Sequence, residues 1–385
     1  MEKLYYLDNA ATTKVFDEVY DLMKQNNAEL FYNPSAAYDV ARQSRKKFEE
    51  ARAVLAQLLR GNHGTFYFTS SATESNNTVF EGVHLRKGQV VLISAGEHPA
   101  VYNAAHRLES KGIVVKEIPL ADDGRVDFDE FKKLMTEDVA LVSVMHVSNE
   151  TGAVNDIKRL CSFAKQINPK VIFHSDGVQA FGKIQVNLLA LGVDLYSVSA
   201  HKIYAPRGVA GLWIKKGVIV DALLVGGGQE DNFRSSTENV GGAIAFAYSA
   251  QKVLSDFENN VSKVTGLKKE FLEKLQNSKI AKFLKVFSTD ECAPHIISMS
   301  FIGIKGEVLM NALQQDGVLV STGSACSSKK AGNRTLEAMS VKKDDIVGSV
   351  RVSFSPYEDY DIDFIVDSFV KHVERFESNN FVNKG

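Results

Sequence analysis

Between residues 65 and 214, short apolar runs alternate with stretches whose apolar residues recur every three or four positions. The runs 65–69, 90–94, 113–118, 139–147, 171–174, 194–198 and 209–214 are brief and bounded by polar or glycine-bearing segments, so each predicts a strand. Segments such as 100–110, 128–135 and 157–167 carry helical spacing. Such alternation predicts a mainly parallel sheet with helices on both faces. Residues 238–276 then form one long helical pattern, with Val240, Ile244, Val253, Leu254, Phe257, Val261, Val264, Leu267 and Phe271 as apolar positions. A pattern longer than an ordinary globular helix predicts one break, near Gly266, and an exit from the first domain. Beyond it, 295–301, 318–320 and 347–354 read as strands, and 307–315 and 361–376 as helices. The fold class is α/β, with a smaller second α/β unit after the first.

Composition narrows the setting without changing that picture. A length of 385 residues suits two domains. An apolar fraction of 44% with 24% charged residues is that of an ordinary soluble globular chain. The net charge of −2 supplies no bulk field for nucleic acid. No apolar run nears the roughly 20 residues that span a bilayer. Residues 1–8 read as neither a signal nor a transit peptide. Three cysteines argue against a disulfide framework and for a reducing compartment. The expectation is a cytoplasmic protein with no membrane and no direct nucleic-acid partner.

Chemistry collects where the strands end. The 194–198 strand runs into Ser199-Ala200-His201-Lys202 rather than into a helix. A lysine at that edge, near other cationic groups, can lose its proton and bind an aldehyde. The 65–69 strand is followed by Ser70-Ser71-Ala72-Thr73-Glu74, where Ser71 and Glu74 have capping-box spacing. Small residues at such a helix mouth leave N–H groups open to a phosphate, and Thr73 adds a hydroxyl. His98 precedes Pro99, which suits a first helical position. Asn149 falls in the segment after the 139–147 strand, and Asp176 ends another strand, with Gln179 three residues on. A buried carboxylate needs a partner, and a protonated pyridine nitrogen is one. Each feature alone also fits an ordinary turn, cap or surface residue. Together they describe a pyridoxal phosphate (PLP) pocket.

Of the cysteines, Cys161 lies in an amphipathic run and reads as core packing, and Cys292 as a loop residue without a partner. Cys326 lies in Gly323-Ser324-Ala325-Cys326, within a polar loop over 321–333, where Lys329 and Lys330 would favour its thiolate.

Across nearly its whole length the chain resembles the cysteine desulfurases of the NifS/IscS type, in the fold-type I, class V aminotransferase group. The resemblance rests on Tyr6-Leu7-Asp8-Asn9-Ala10-Ala11-Thr12-Thr13, Asn33-Pro34-Ser35, residues 69–77, Glu97-His98 and residues 148–152. It continues in residues 174–179, Ser199-Ala200-His201-Lys202-Ile203-Tyr204, residues 226–230 and 234–239, Gly323-Ser324-Ala325-Cys326, and Arg351-Val352-Ser353-Phe354. Such a resemblance implies a large PLP-binding domain over 15–257 and a small domain made of 1–14 and 258–385. It implies that Lys202 binds the cofactor aldehyde, that Asp176 pairs with the ring nitrogen, and that His98 stacks on the ring and moves protons. Gln179 would face the ring hydroxyl and Asn149 would lie beside cofactor and substrate. Ala72, Thr73, Ser199 and His201 would hold the phosphate, with Thr237 contributed by the second subunit of a homodimer. Arg351 would clamp the carboxylate of L-cysteine, and Cys326 would take its sulfur as a persulfide, leaving alanine. A sulfur-acceptor protein follows, serving iron–sulfur cluster assembly or tRNA or thiamine thiolation. Selenocysteine lyase, another class V lyase or aminotransferase, and a sulfur-relay subunit needing a partner for turnover are the alternatives. The chain departs from its relatives at Tyr38, where many have histidine, at Gly177 and Ser236, which replace alanine and glycine, and at residues 329–334.

Overall fold

The computed structural model describes residues 3–322 and 333–378. Strand Tyr5–Tyr6 (β1) opens the chain, followed by Gly64–Thr69 (β2), Val90–Ser94 (β3), Val114–Ile118 (β4), Val139–Ser143 (β5), Ile172–Asp176 (β6), Leu195–Ser199 (β7) and Ala210–Lys215 (β8). Strands β2 to β8 form one seven-stranded sheet in the order β2-β8-β7-β6-β5-β3-β4. Only β8 opposes the common direction, pairing antiparallel with both β2 and β7. The mainly parallel sheet expected from the alternating pattern is therefore present. Residues 144–147, expected to continue the 139–147 strand, leave it after Ser143, while β6 runs on to Asp176.

Both faces of the sheet are covered, which is why its central strands read as continuous apolar runs rather than as alternation. Val90 and Leu92 of β3 pack into one core, whereas Val91 and Ile93 pack into the other. That is the two-residue period of a strand sandwiched between layers. The edge strand β4 shows the alternation instead.

Helix Asp39–Leu58, which the apolar pattern does not announce, buries Ala41, Ser44, Phe48, Ala51 and Leu55 against helix Val240–Ser255. Its seam follows helical spacing, but alanine and serine carry little hydrophobic signal. The 238–276 pattern does break once, at Asp256 (φ −120°, ψ 32°) and not near Gly266. Asn260 turns back to donate to the Val253 carbonyl at 3.0 Å, satisfying a group that the break releases. Gly266 continues the helix Phe257–Gln276 in open space, where the cost of glycine is only about 1 kcal/mol.

The remaining strands are Leu284–Val286 (β9), Ile296–Phe301 (β10), Val318–Leu319 (β11) and Ser349–Ser353 (β12). Antiparallel β12-β10-β9 and the parallel pair β1-β11 enclose a separate core with Leu7, Phe271, Phe301, Phe354 and Phe369. Residue 347, expected to open the 347–354 strand, instead ends the short helix Lys343–Val347. The expected placement of Cys161 in the core holds: it is buried, and burial pushes its thiol up to about 11. Cys292 sits in a loop as expected but is buried, with Sγ 3.5 Å from Thr289 Oγ1. Among the described residues no helix is long and apolar enough to cross a membrane.

Gly177, just past β6, sits against the fully buried Tyr196. A Cβ there would lie 2.0 Å from Tyr196 Cζ. Tyr196 is itself held by a 2.8 Å hydrogen bond between its hydroxyl and His146 Nδ1. Glycine at 177 and tyrosine at 196 therefore belong together. Gly177→Ala is expected to cost about 1–3 kcal/mol in urea unfolding, and adding Tyr196→Met to recover part of that loss.

Candidate active site at the carboxyl ends of the sheet

β7 ends at Ser199 and passes through the single turn Ala200–Lys202. The Lys202 ammonium donates to the carbonyls of Ala10 and Ala11, each at 2.6 Å. Those carbonyls belong to an N-terminal strip laid across the strand ends. The strip is pinned on one side by Ala10 N donating to Ser353 Oγ (2.8 Å), and on the other by Thr13 N donating to the His201 carbonyl (2.9 Å). Gln179 Nε2 donates to the same Ala10 carbonyl at 2.7 Å, so Gln179 and Lys202 meet on one acceptor.

Asp176 completes β6 and is buried. Its Oδ2 accepts from Asn76 Nδ2 (2.7 Å) and its Oδ1 from Val178 N (3.0 Å). Both donors are neutral, and among the described residues no cation pairs with this carboxylate. Below it, His174 links Ser143 Oγ (2.8 Å) to Ser197 Oγ (3.0 Å), and burial depresses the ring to about 3.

His98 caps the helix Pro99–Arg107, with Nδ1 accepting from Ala100 N at 3.1 Å. When neutral, the ring thus carries its proton on Nε2. Burial lowers its pKa, with Lys202 and Arg334 acting in the same direction and Asp176 opposing them. His98 is therefore within the field of both strand-end residues. His201 falls to about 4 through burial, then the charges of Lys202 and Arg207. Lys183 is pushed down to about 7, by burial first and Lys202 second.

Arg351, on β12, brings the β12-β10-β9 sheet to the site. One guanidinium nitrogen lies 2.8 Å from Asp8 Oδ1, and the other donates to the Asn149 carbonyl at 2.7 Å. Its Nε is buried and has no hydrogen-bond partner among the described residues. Asn149 itself reaches Glu150 through its side chain (2.7 Å).

Ala72 and Thr73 open the helix Ala72–Gly82, which packs against β7 and β8. Ser71 is its cap, accepting from Glu74 N at 3.1 Å, as the spacing predicts. Glu74 turns back to Ser70 N (2.9 Å) rather than to Ser71. The first two amides of the helix have no acceptor within it. Ser199 is buried beside this mouth, and His201 Nδ1 lies 3.2 Å from Thr12 Oγ1.

Lys202, Gln179 and Asp176 thus stand at and just beyond the ends of β6 and β7, with His98, beyond β3, in the field of Lys202 and Asp176, and Asn149 meets Arg351. Thr237 does not join them within one chain: it is exposed in the loop before helix Val240–Ser255. Its neighbour Ser236 has φ 149°, a region costly for an L side chain and better suited to the glycine that the resemblance leads one to expect there. Cys326, with Lys329 and Lys330, lies outside the described residues. Sequence reasoning missed Asn76, Asp8, Glu97 and Glu150 as members of the site. Glu97 is buried, accepts from Ser94 Oγ and Met145 N (both 2.6 Å), and is pushed up to about 8 by burial. All four lie within motifs on which the resemblance rests, 6–13, 69–77, Glu97-His98 and 148–152, but as positions without roles.

Comparison with known proteins places this geometry. A profile described as aminotransferase class-V matches residues 5–363. The chain belongs to that family. It is 36% identical over 383 residues to a protein named cysteine desulfurase IscS from Dictyoglomus turgidum, covering 98% of this chain and 96% of the relative. It is 32% identical to cysteine desulfurase IscS 1 of Archaeoglobus fulgidus, covering 97% and 98%. Among solved structures, a NifS-like protein superposes with a TM-score of 0.88 at 32% identity, covering 98% of this chain and 100% of the other. A NifS-like protein from Rickettsia africae follows, with a TM-score of 0.85 at 26% identity, covering 97% and 100%. The family is PLP-dependent, and the residues present suit the cofactor. Asp176 is a buried carboxyl that accepts from the neutral donors Asn76 and Val178, a lysine stands at the neighbouring strand end, and the capped helix Ala72–Gly82 opens after β2.

In the cofactor-free protein, the His98 ring is expected to titrate below 6.5 by NMR, and Lys202→Ala to move that midpoint upward, since it removes a charge that disfavours imidazolium. A midpoint insensitive to Lys202→Ala would contradict the electrostatic link between the two.

Proposed function

We propose that the protein is a PLP-dependent cysteine desulfurase, converting L-cysteine to L-alanine and passing the sulfur through a persulfide on Cys326. The convergence of Lys202, His98 and Asp176 at adjoining strand ends carries this reading, with Arg351 of the small-domain sheet held beside Asn149. The names of the near-full-length relatives point to the same reaction.

When bound, PLP supplies a ring that accepts electrons from the substrate. Lys202 would hold its aldehyde, Asp176 its protonated ring nitrogen and Gln179 its hydroxyl. Ala72, Thr73, Ser199 and His201 would receive the phosphate; amides and a hydroxyl suit an anion even where His201 is neutral. Thr237, exposed and apart from the cluster, fits a role in a second subunit, hence a homodimer. Arg351 would bind the substrate carboxylate, to which its fork is matched. His98 at Nε2 and Lys202 at Nζ exchange protons with the bound substrate. The Cys326 thiolate then attacks the substrate sulfur. The new S–S bond forms as the Cβ–S bond breaks, the electron pair stays with the carbon skeleton, and a proton there completes alanine. The persulfide passes to an acceptor protein in the cytoplasm, serving iron–sulfur assembly or thiolation of tRNA or thiamine.

Two measurements test this. Borohydride reduction of the holoenzyme should fix a pyridoxyl group on Lys202, found by peptide mapping and absent from Lys202→Ala. Cys326→Ser should keep the bound cofactor yet release no sulfide from L-cysteine; unchanged release would overturn the mechanism.

A further inference from the structure

Arg351 already has anions beside it before any substrate arrives. Asp8 sits 2.8 Å from one nitrogen, and Glu150 Oε1 lies 3.7 Å from the other. Glu150 is also the acceptor of a second contact: its Oε2 takes a 2.9 Å hydrogen bond from Asn333 Nδ2. Asn333 is the first described residue after 323–332, and its side-chain oxygen caps the helix Arg334–Ala338 by accepting from Leu336 N at 3.2 Å. One carboxylate therefore touches both the substrate-carboxylate arginine and the foot of the segment that bears the sulfur-accepting cysteine. Asn149 Nδ2 donates to the same carboxylate (2.7 Å), so Glu150 is held from three sides.

We propose that Glu150 is a positioning residue that couples occupancy of the Arg351 site to Asn333, by taking up a proton when a ligand carboxylate docks on Arg351. This rests on the desulfurase reading of the site. The physical ground is crowding of like charge. A ligand carboxylate on Arg351 enters within a few ångströms of both Glu150 and Asp8, in a place where Glu150 is largely removed from water. Two neighbouring carboxylates cannot both stay ionised cheaply in such a site. Glu150 is the one poised to yield: burial raises its pKa, Asp8 adds to that, and Arg351, Asn333 and Asn149 oppose it. Asp8 is more exposed and sits closer to the guanidinium than Glu150 does. On protonation, Glu150 gains an O–H and loses its charge, so its hold on the Asn333 amide weakens. The arrival of substrate is in this way felt at residue 333.

The test uses the PLP-loaded enzyme and L-alanine, which carries the carboxylate but no sulfur. Calorimetry in buffers of different ionisation enthalpy reads the protons taken up on binding, from pH 5 to 9. Wild type should take up more protons per L-alanine than Glu150→Gln, by as much as one within a window of pH. Through that window the affinity ratio of Glu150→Gln to wild type should grow by up to about ten-fold per pH unit. Asn333→Ser keeps the helix cap but cannot reach Glu150, and should move the window to higher pH. Equal proton uptake in wild type and Glu150→Gln, with both folded by thermal melting, would overturn the proposal; an unmoved window in Asn333→Ser would overturn its link to residue 333. Sulfide release by wild type, measured alongside, separates the two ideas: its absence sinks the desulfurase reading, whereas its presence with equal proton uptake sinks only the coupling.

Discussion

The carbonyl oxygens of Ala10 and Ala11 hold the Lys202 ammonium, and the rest of the site depends on how that strip of backbone comes to lie there. Residues 5 and 6 pair with β11 and residue 10 is tied to Ser353 of β12, so the strip starts among the β1-β11 pair and the β12-β10-β9 sheet. It then crosses to His201 and Tyr204, where Thr13 Oγ1 accepts from Tyr204 N at 2.7 Å. One peptide segment thereby sets the distance between the strand ends that carry Lys202 and Asp176 and the strand that carries Arg351.

Charge is arranged around that anchor with a consistent sign. Lys202, Lys183, Arg334 and Arg351 crowd one region, and their fields help to keep His98, His201 and His295 neutral once burial has already disfavoured imidazolium. The acidic groups among them are few: Asp176 at the end of β6, Asp8 and Glu150 beside Arg351, and Glu97, whose carboxyl burial pushes up to about 8. Such a region suits ligands that bring their own negative charge, as a phosphate and an amino-acid carboxylate do. Neutral histidines in it can give and accept protons without adding to the repulsion.

Local geometry explains the residues found at 177 and 236. Glycine at 177 leaves room for the Tyr196 ring, and that ring is committed by its hydroxyl to His146. Ser236 holds a backbone angle better suited to glycine, in the same loop that exposes Thr237.

The alternation of apolar runs sufficed to give the parallel sheet, because strands covered on both faces must be apolar throughout. Polar residues that interrupt such runs at the same end, Asp176, Ser199 and Lys202, marked the site for the same reason: a buried strand end tolerates them only with partners. Helix Asp39–Leu58 was illegible because alanine and serine line its seam, and the break at Asp256 because a glycine drew the eye to 266. What the tertiary structure alone decided is which distant residues share an atom. Gln179 and Lys202 meet on the Ala10 carbonyl, and Glu150 stands between Arg351 and Asn333. Such contacts join segments up to about 200 residues apart in the chain, and no local spacing encodes them; they follow from the register in which the sheets and one N-terminal strip come together.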